Sequence, residues 1–202
     1  MWPSHIYLAE VNGRSASGES LVIIQEKVTG LTEAALAKFV ARAQRATGLR
    51  GAVSVLVTSS RELQKFNRRF RGKNNPTDVL SFPAMPGLIE EFAGDVAISA
   101  EIAALNARRL GHTTAEEIRV LSLHGLLHLA GYDHESDDGE MERKEARLRK
   151  SLGLPVGLIE RSRRQAGGKV LSSVKNKSTR LGRTSTVATR TKIGAASATK
   201  QA

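Results

Sequence analysis

The sequence contains no cysteine. That excludes a disulfide framework and a thiolate metal site. No apolar run approaches the ~18 residues of a membrane span, so no membrane partner is expected. The first residues, Met1-Trp2-Pro3-Ser4-His5, lack the basic start and apolar run of a signal peptide. A soluble cytoplasmic protein is the expectation. Acid is missing too, but only from one region. All 20 Asp and Glu lie at or before Glu160, and residues 161–202 carry none.

The net charge of +11 is therefore local. Up to Glu160 the 20 acids are matched by 20 of the 31 Lys and Arg, and the other 11 bases lie in 161–202. Such a run marks a solvated or polyanion-binding segment. From Arg161 onward no periodic apolar pattern survives, so too little apolar surface can be buried to offset ordering entropy. The 202 residues divide into an N-terminal extension (1–20), one charge-balanced globular domain (21–160) and a basic tail expected to be disordered (161–202).

Within the domain, helices and strands alternate. Ser20 to Val28, with Leu-Val-Ile-Ile, reads as a first strand. Thr32 caps a helix with Leu36, Phe39, Val40 and Ala43 at helical spacing, and Gly48 ends it. Gly51 to Thr58 is a strand by its alternating Val53, Val55 and Val57. Ser59 and Glu62 form a capping box for a helix that turns Leu63, Phe66 and Phe70 inward and Lys65, Arg68 and Arg69 outward. Arg71 to Pro76 reads as a loop. Thr77 to Phe82 is a strand stopped by Pro83, followed by a loop through residue 91. Ala93 to Ser99 is its expected neighbour, because the connection is short. Ser99 caps a helix to about Leu110, and Thr113 with Glu116, or Thr114 with Glu117, boxes the start of the next. After His134, the acidic turn 135–138 opens a last helix, closed by Gly153 and Pro155.

The chemistry concentrates in residues 121–134, Leu-Ser-Leu-His-Gly-Leu-Leu-His-Leu-Ala-Gly-Tyr-Asp-His. His124 and His128 are spaced i, i+4, on one face of a helix. Leucines surround them on most sides, the mark of a buried helix. Gly131 ends the helix, and the turn brings His134 back toward the other rings. A lone histidine on an apolar face is usually a satisfied core residue. Three histidines split around a helix-ending glycine fit the catalytic zinc arrangement of three protein ligands and one open position. Such a metal generates hydroxide at neutral pH. The spacing H-x-x-x-H-x-x-G-x-x-H is that of metzincin proteases, which carry a glutamate base directly after the first histidine. Here Gly125 stands in that place, so metal hydroxide chemistry is better supported than peptide hydrolysis.

A phosphodiester hydrolase also needs cations for the anionic backbone. Arg71 is the candidate, with Lys73 and Arg68 close by in sequence. Asn67 through Pro83, then Gly94-Asp95-Val96, then His124 through His134, closely resemble the YbeY family of rRNA maturation factors, in order and spacing over roughly residues 20–155. The resemblance implies an α+β fold: a small mixed β-sheet packed with helices, zincin-like, with a central metal-bearing helix. It implies a single-strand-specific, metal-dependent endoribonuclease acting in 16S rRNA 3′-end maturation and small-subunit quality control. One Zn²⁺ per chain would be held by His124, His128 and His134. Arg71 would be the functional arginine, binding substrate with Lys73. Implied partners are single-stranded RNA, 16S rRNA, the small ribosomal subunit and its assembly factors. Asn74 stands where the family often has Asp, and Phe70 where it often has Tyr.

No side chain is an obvious general base. Asp133 and Glu135 flank His134 and could instead orient an imidazole. Asp78, Asp95 and Ser81 read as structural. Two other classes compete: a non-catalytic ribosome assembly factor with a structural metal, and a metalloprotease.

Overall fold

The computed structural model describes residues 20–84 and 92–155. The N-terminal extension before Ser20, the loop with Pro86 and Gly87, and the basic tail lie outside the described residues. Among them are four strands, β1 (Leu21–Ile24), β2 (Ala52–Thr58), β3 (Val79–Pro83) and β4 (Phe92–Ser99). The five helices are α1 (Glu33–Thr47), α2 (Ser60–Arg71), α3 (Ala100–Leu110), α4 (Thr114–Leu129) and α5 (Glu140–Leu152). The sheet order is β1-β2-β4-β3. β1, β2 and β4 are parallel, and β3 runs antiparallel to β4 at the edge. The fold is α+β with a small mixed sheet, as expected.

Both faces of the sheet are covered. Val53, Val55, Val57, Val96 and Ile98 join the main core with α1, α4 and α5. Leu56, Leu80 and Ala97 point the other way and meet Leu63 and Phe66 of α2. This is why every residue of β2 is buried, although its sequence alternates Val with smaller residues. A strand covered on both sides has no solvent face to advertise.

The helix starts follow local chemistry. Thr32, Ser59, Ser99 and Thr113 each accept a backbone N–H in the first turn of the helix they cap. The Thr113–Glu116 box is complete. At α2 the Glu62 carboxylate turns to Lys65, at 2.8 Å, so only the Ser59 half of the expected box forms. The last helix opens on the acidic turn, as read, and its capping group is Asp137. Its N-cap Gly139 has no side chain, and the Asp137 carboxylate takes the N–H groups of Gly139, Glu140 and Met141.

Besides β1 ending at Ile24 and β3 beginning at Val79, two boundaries move from their sequence positions. Arg71 is the last residue of α2, and Gly72 caps the helix in the left-handed conformation, so the loop begins after Arg71. Pro83 lies within β3, paired with Gly94, instead of stopping the strand. An edge strand tolerates proline because one row of its N–H groups has no strand to bond.

α4 is buried along most of its length, with Ile118, Leu121, Leu123, Leu126 and Leu127 fully enclosed. Each such side chain contributes roughly 1.5–3 kcal/mol relative to exposure. Two glycines let this helix approach the sheet. A Cβ at Gly125 would lie 2.6 Å from Val96 Cγ1 and 3.0 Å from Ser81 Oγ. One at Gly94 would lie 2.9 Å from Leu129 Cδ2 and run into the Phe82 carbonyl oxygen. α4 therefore runs antiparallel to β4, and its C-terminal end overlies the Gly94 end. Gly94 (φ +142°) follows a bulge at which Ala93 is the extra residue. Gly94→Ala is expected to cost about 2–6 kcal/mol from strained backbone plus overpacking. A urea midpoint unchanged from wild type would refute this account of the contact.

No helix among the described residues is long and apolar enough to cross a membrane.

Candidate metal centre

The three predicted ligands converge. His124 is buried in α4, His128 is half-buried one turn later, and His134 is exposed in the turn beyond. The chain leaves α4 at Ala130, and Gly131 (φ +88°) takes the left-handed position. Its N–H donates to the His128 carbonyl and that of Tyr132 to the Leu127 carbonyl. Asp133 then shapes the return. Its carbonyl accepts from the amides of Ser136 and Asp137, and its carboxylate accepts from the Glu135 N–H and the Ser136 hydroxyl. Those bonds, the Glu135 N–H first, hold the Asp133 carboxyl below its usual pKa. Asp133 therefore orders the turn that carries His134.

The ring centroids are 4.7 Å apart for His124 and His128, and 5.3 Å for each pair with His134. One nitrogen from each ring lies within 4.8 Å of the other two. Nε2 of His124 and Nε2 of His128 face each other at 3.1 Å. Two ligands about 2.0–2.1 Å from a tetrahedral zinc stand about 3.3 Å apart. The donor set therefore fits a single ion that takes imidazole nitrogen.

Burial, aided by the neighbouring imidazoles of His124 and His134, lowers the pKa of His128 to about 4. At neutral pH this ring has no extra proton to expel before binding a metal. The same depression has a stability consequence. Between pH 6.5 and about 4 the unfolded chain protonates this residue and the folded chain does not. Metal-free protein therefore has the full contribution above pH 6.5 and loses it as pH falls toward 4. The thermal midpoint of metal-free wild type is expected to drop more over that range than that of His128→Phe. Parallel curves would contradict it.

The carboxylate that touches an imidazole of the triad lies outside the sequence candidates. Glu145 of α5, almost fully buried, places Oε2 3.0 Å from Nδ1 of His124. The earlier candidates for orienting an imidazole, Asp133 and Glu135, lie in the exposed turn instead. A signal did exist. Glu145 sits four residues from Met141 and four from Arg149, on the stripe of α5 that faces the core. An acid on the inward stripe of a helix requires a partner.

Gly125 gains a physical explanation. Its missing side chain is where α4 touches β3 and β4, and the Ser81 hydroxyl donates to its carbonyl at 3.3 Å. A side chain there would be driven into the sheet. Asp78 is likewise structural: its carboxylate accepts from the Val79 N–H and reaches Asn106.

Arg71 ends α2, which packs on the sheet face opposite α4, and Lys73 follows in the loop; both are exposed. They nonetheless lie toward the same end. Phe70 packs edge-on against Phe82, ring centroids 5.2 Å apart. Phe82 pairs with Asp95, beside Gly94 and hence beside the His128 end of α4. Asn67, buried, donates to the Asn75 carbonyl, and Gln64 to that of Asn74, so the loop carrying Lys73 is tied back along α2.

A family model described as Endoribonuclease YbeY matches residues 16–153. The chain belongs to the YbeY family. Endoribonuclease YbeY of Koribacter versatilis is 53% identical over 146 residues, which cover 72% of this chain and 94% of that protein. The YbeY endoribonuclease of Solibacter usitatus is 45% identical over 148 residues, covering 73% and 97%. A solution structure from Thermotoga maritima is 26% identical with a TM-score of 0.45, covering 79% of this chain and all of its own. The family match spans β1 to α5 and contains all three histidines, Glu145, Arg71 and Lys73.

Proposed function

We propose that this protein is a zinc-dependent endoribonuclease specific for single-stranded RNA, acting in 16S rRNA 3′-end maturation and small-subunit quality control in the cytoplasm. The observation that carries the reading is the convergence of three imidazole nitrogens in a chain whose relatives are named endoribonucleases. His124, His128 and His134 hold the ion, one per chain. When bound it supplies Lewis acidity and a nucleophile at neutral pH.

The protein's own groups do the rest. Glu145 holds His124 from behind, and Asp133 holds the turn of His134. Arg71, with Lys73, binds the scissile phosphate from the far side of the edge strand. The guanidinium offers a planar fork that matches two phosphate oxygens and stabilises charge as it develops. Attack by water leaves a 5′-phosphate, whereas attack by the ribose 2′-hydroxyl leaves a 2′,3′-cyclic phosphate and explains RNA over DNA. The partners are then 16S rRNA and the small subunit with its assembly factors. The 11 bases of residues 161–202 fit an electrostatic tether to RNA.

The test is cleavage of a single-stranded rRNA fragment by purified protein, before and after chelation and with zinc restored. Product ends are mapped in the same experiment. Cleavage that chelator abolishes and zinc restores is expected. Chelator-insensitive cleavage, or none, would favour the assembly factor. Casein is the parallel substrate for the protease reading, which the packing at Gly125 disfavours.

A further inference from the structure

A neutral imidazole carries its proton on one nitrogen and its lone pair on the other. Which nitrogen of His124 faces the cluster with a lone pair therefore needs a cause. We propose that Glu145 is a positioning residue that fixes His124 as the Nδ1–H tautomer and so presents Nε2 to the metal. The proposal rests on the metal reading above.

Three observations carry it. First, Glu145 Oε2 is 3.0 Å from Nδ1, while Nε2 points at His128. A carboxylate accepts and does not donate, so the proton belongs on Nδ1. Second, both groups are sealed from water: the side chains of His124 and Glu145 are 7% and 3% exposed. Water cannot stand in for either partner. Third, Glu145 is an unexpected choice for docking α5. The helix already has Met141, fully buried, one turn before it. An apolar residue at 145 would serve packing as well, since a buried carboxylate is costly to desolvate. What the carboxylate adds is a direction for the imidazole. The His124–Glu145 bond also joins metal binding to the docking of α5.

The experiment uses the full chain, metal-free, with ¹⁵N-labelled histidine. Long-range imidazole NMR assigns the His124 tautomer, and zinc affinity is measured by competition with a chelating indicator. The variants are Glu145→Met, Glu145→Gln and Met141→Ala. Methionine matches glutamate in size but offers only a weak acceptor, so the core stays filled. Wild type is expected to show Nδ1–H. Glu145→Met moves His124 toward Nε2–H and weakens zinc about 10–100-fold. Glu145→Gln, which accepts through its carbonyl oxygen, recovers part of both. Met141→Ala loosens α5 but keeps the tautomer, which separates positioning from packing. A His124 that stays Nδ1–H in Glu145→Met overturns the proposal, as does unchanged zinc affinity. Wild type that binds zinc without cutting RNA overturns the nuclease reading and leaves this one intact.

Discussion

His128→Ala is expected to empty the metal site and abolish RNA cleavage together. Four-ligand zinc sites bind with about 10–16 kcal/mol, roughly 2.5–4 kcal/mol per ligand, so one lost imidazole weakens binding by about two to three orders of magnitude. Here the loss is severe because only three protein ligands converge among the described residues. The fold should survive. His128 is half-buried at the end of α4, and its neighbours Leu126 and Leu127, not the imidazole, fill the core. Circular dichroism should therefore match wild type while metal content falls to background. The variant also removes the depressed imidazole, so its metal-free form should lose less stability toward pH 4. Cleavage at the wild-type rate would mean a contaminating nuclease, and the assembly-factor reading would take the lead.

The histidine triad was legible in the sequence because its geometry is local. An i, i+4 pair and a glycine in the left-handed conformation need only one helix and one turn. The caps at Thr32, Ser99 and Thr113 were legible for the same reason: donor and acceptor sit within three residues. What lay hidden depends on chain segments that meet only in three dimensions. Glu145 is 21 residues from His124 and on another helix. Its role appears only once α5 packs on α4. The two-sided burial of β2 likewise requires α2 to cover the second face. Gly125 could be read as a missing protease base, but not as the contact point for Val96 and Ser81. Asn67, on a helix rich in exposed bases, is buried and holds the loop after α2.

The placement of Arg71 tests the other half of the proposed mechanism. Arg71→Ala is expected to lower kcat about 10²–10³-fold, as loss of one donor to developing charge does, with metal content unchanged. The two effects separate because Arg71 ends a helix that packs on the sheet face opposite α4. Truncating an exposed side chain there leaves the imidazoles undisturbed. It remains relevant to them through the chain of contacts at one end of the sheet: Phe70 on Phe82, Phe82 beside Gly94, Gly94 against Leu129, next to His128. Arg71→Lys should restore part of the rate, since it keeps the charge but not the planar fork. Arg61 is the control. It is exposed on the same helix, about 15 Å from Arg71 along the axis by the helical rise. Arg61→Ala should change kcat little and mainly soften salt-dependent RNA binding. Equal losses for Arg61→Ala and Arg71→Ala would reduce α2 to a general basic surface. A loss of metal in Arg71→Ala would show instead that this end of the sheet holds the imidazoles in place. Only a rate loss confined to Arg71, with zinc retained, fits an arginine that meets the phosphate across the edge strand.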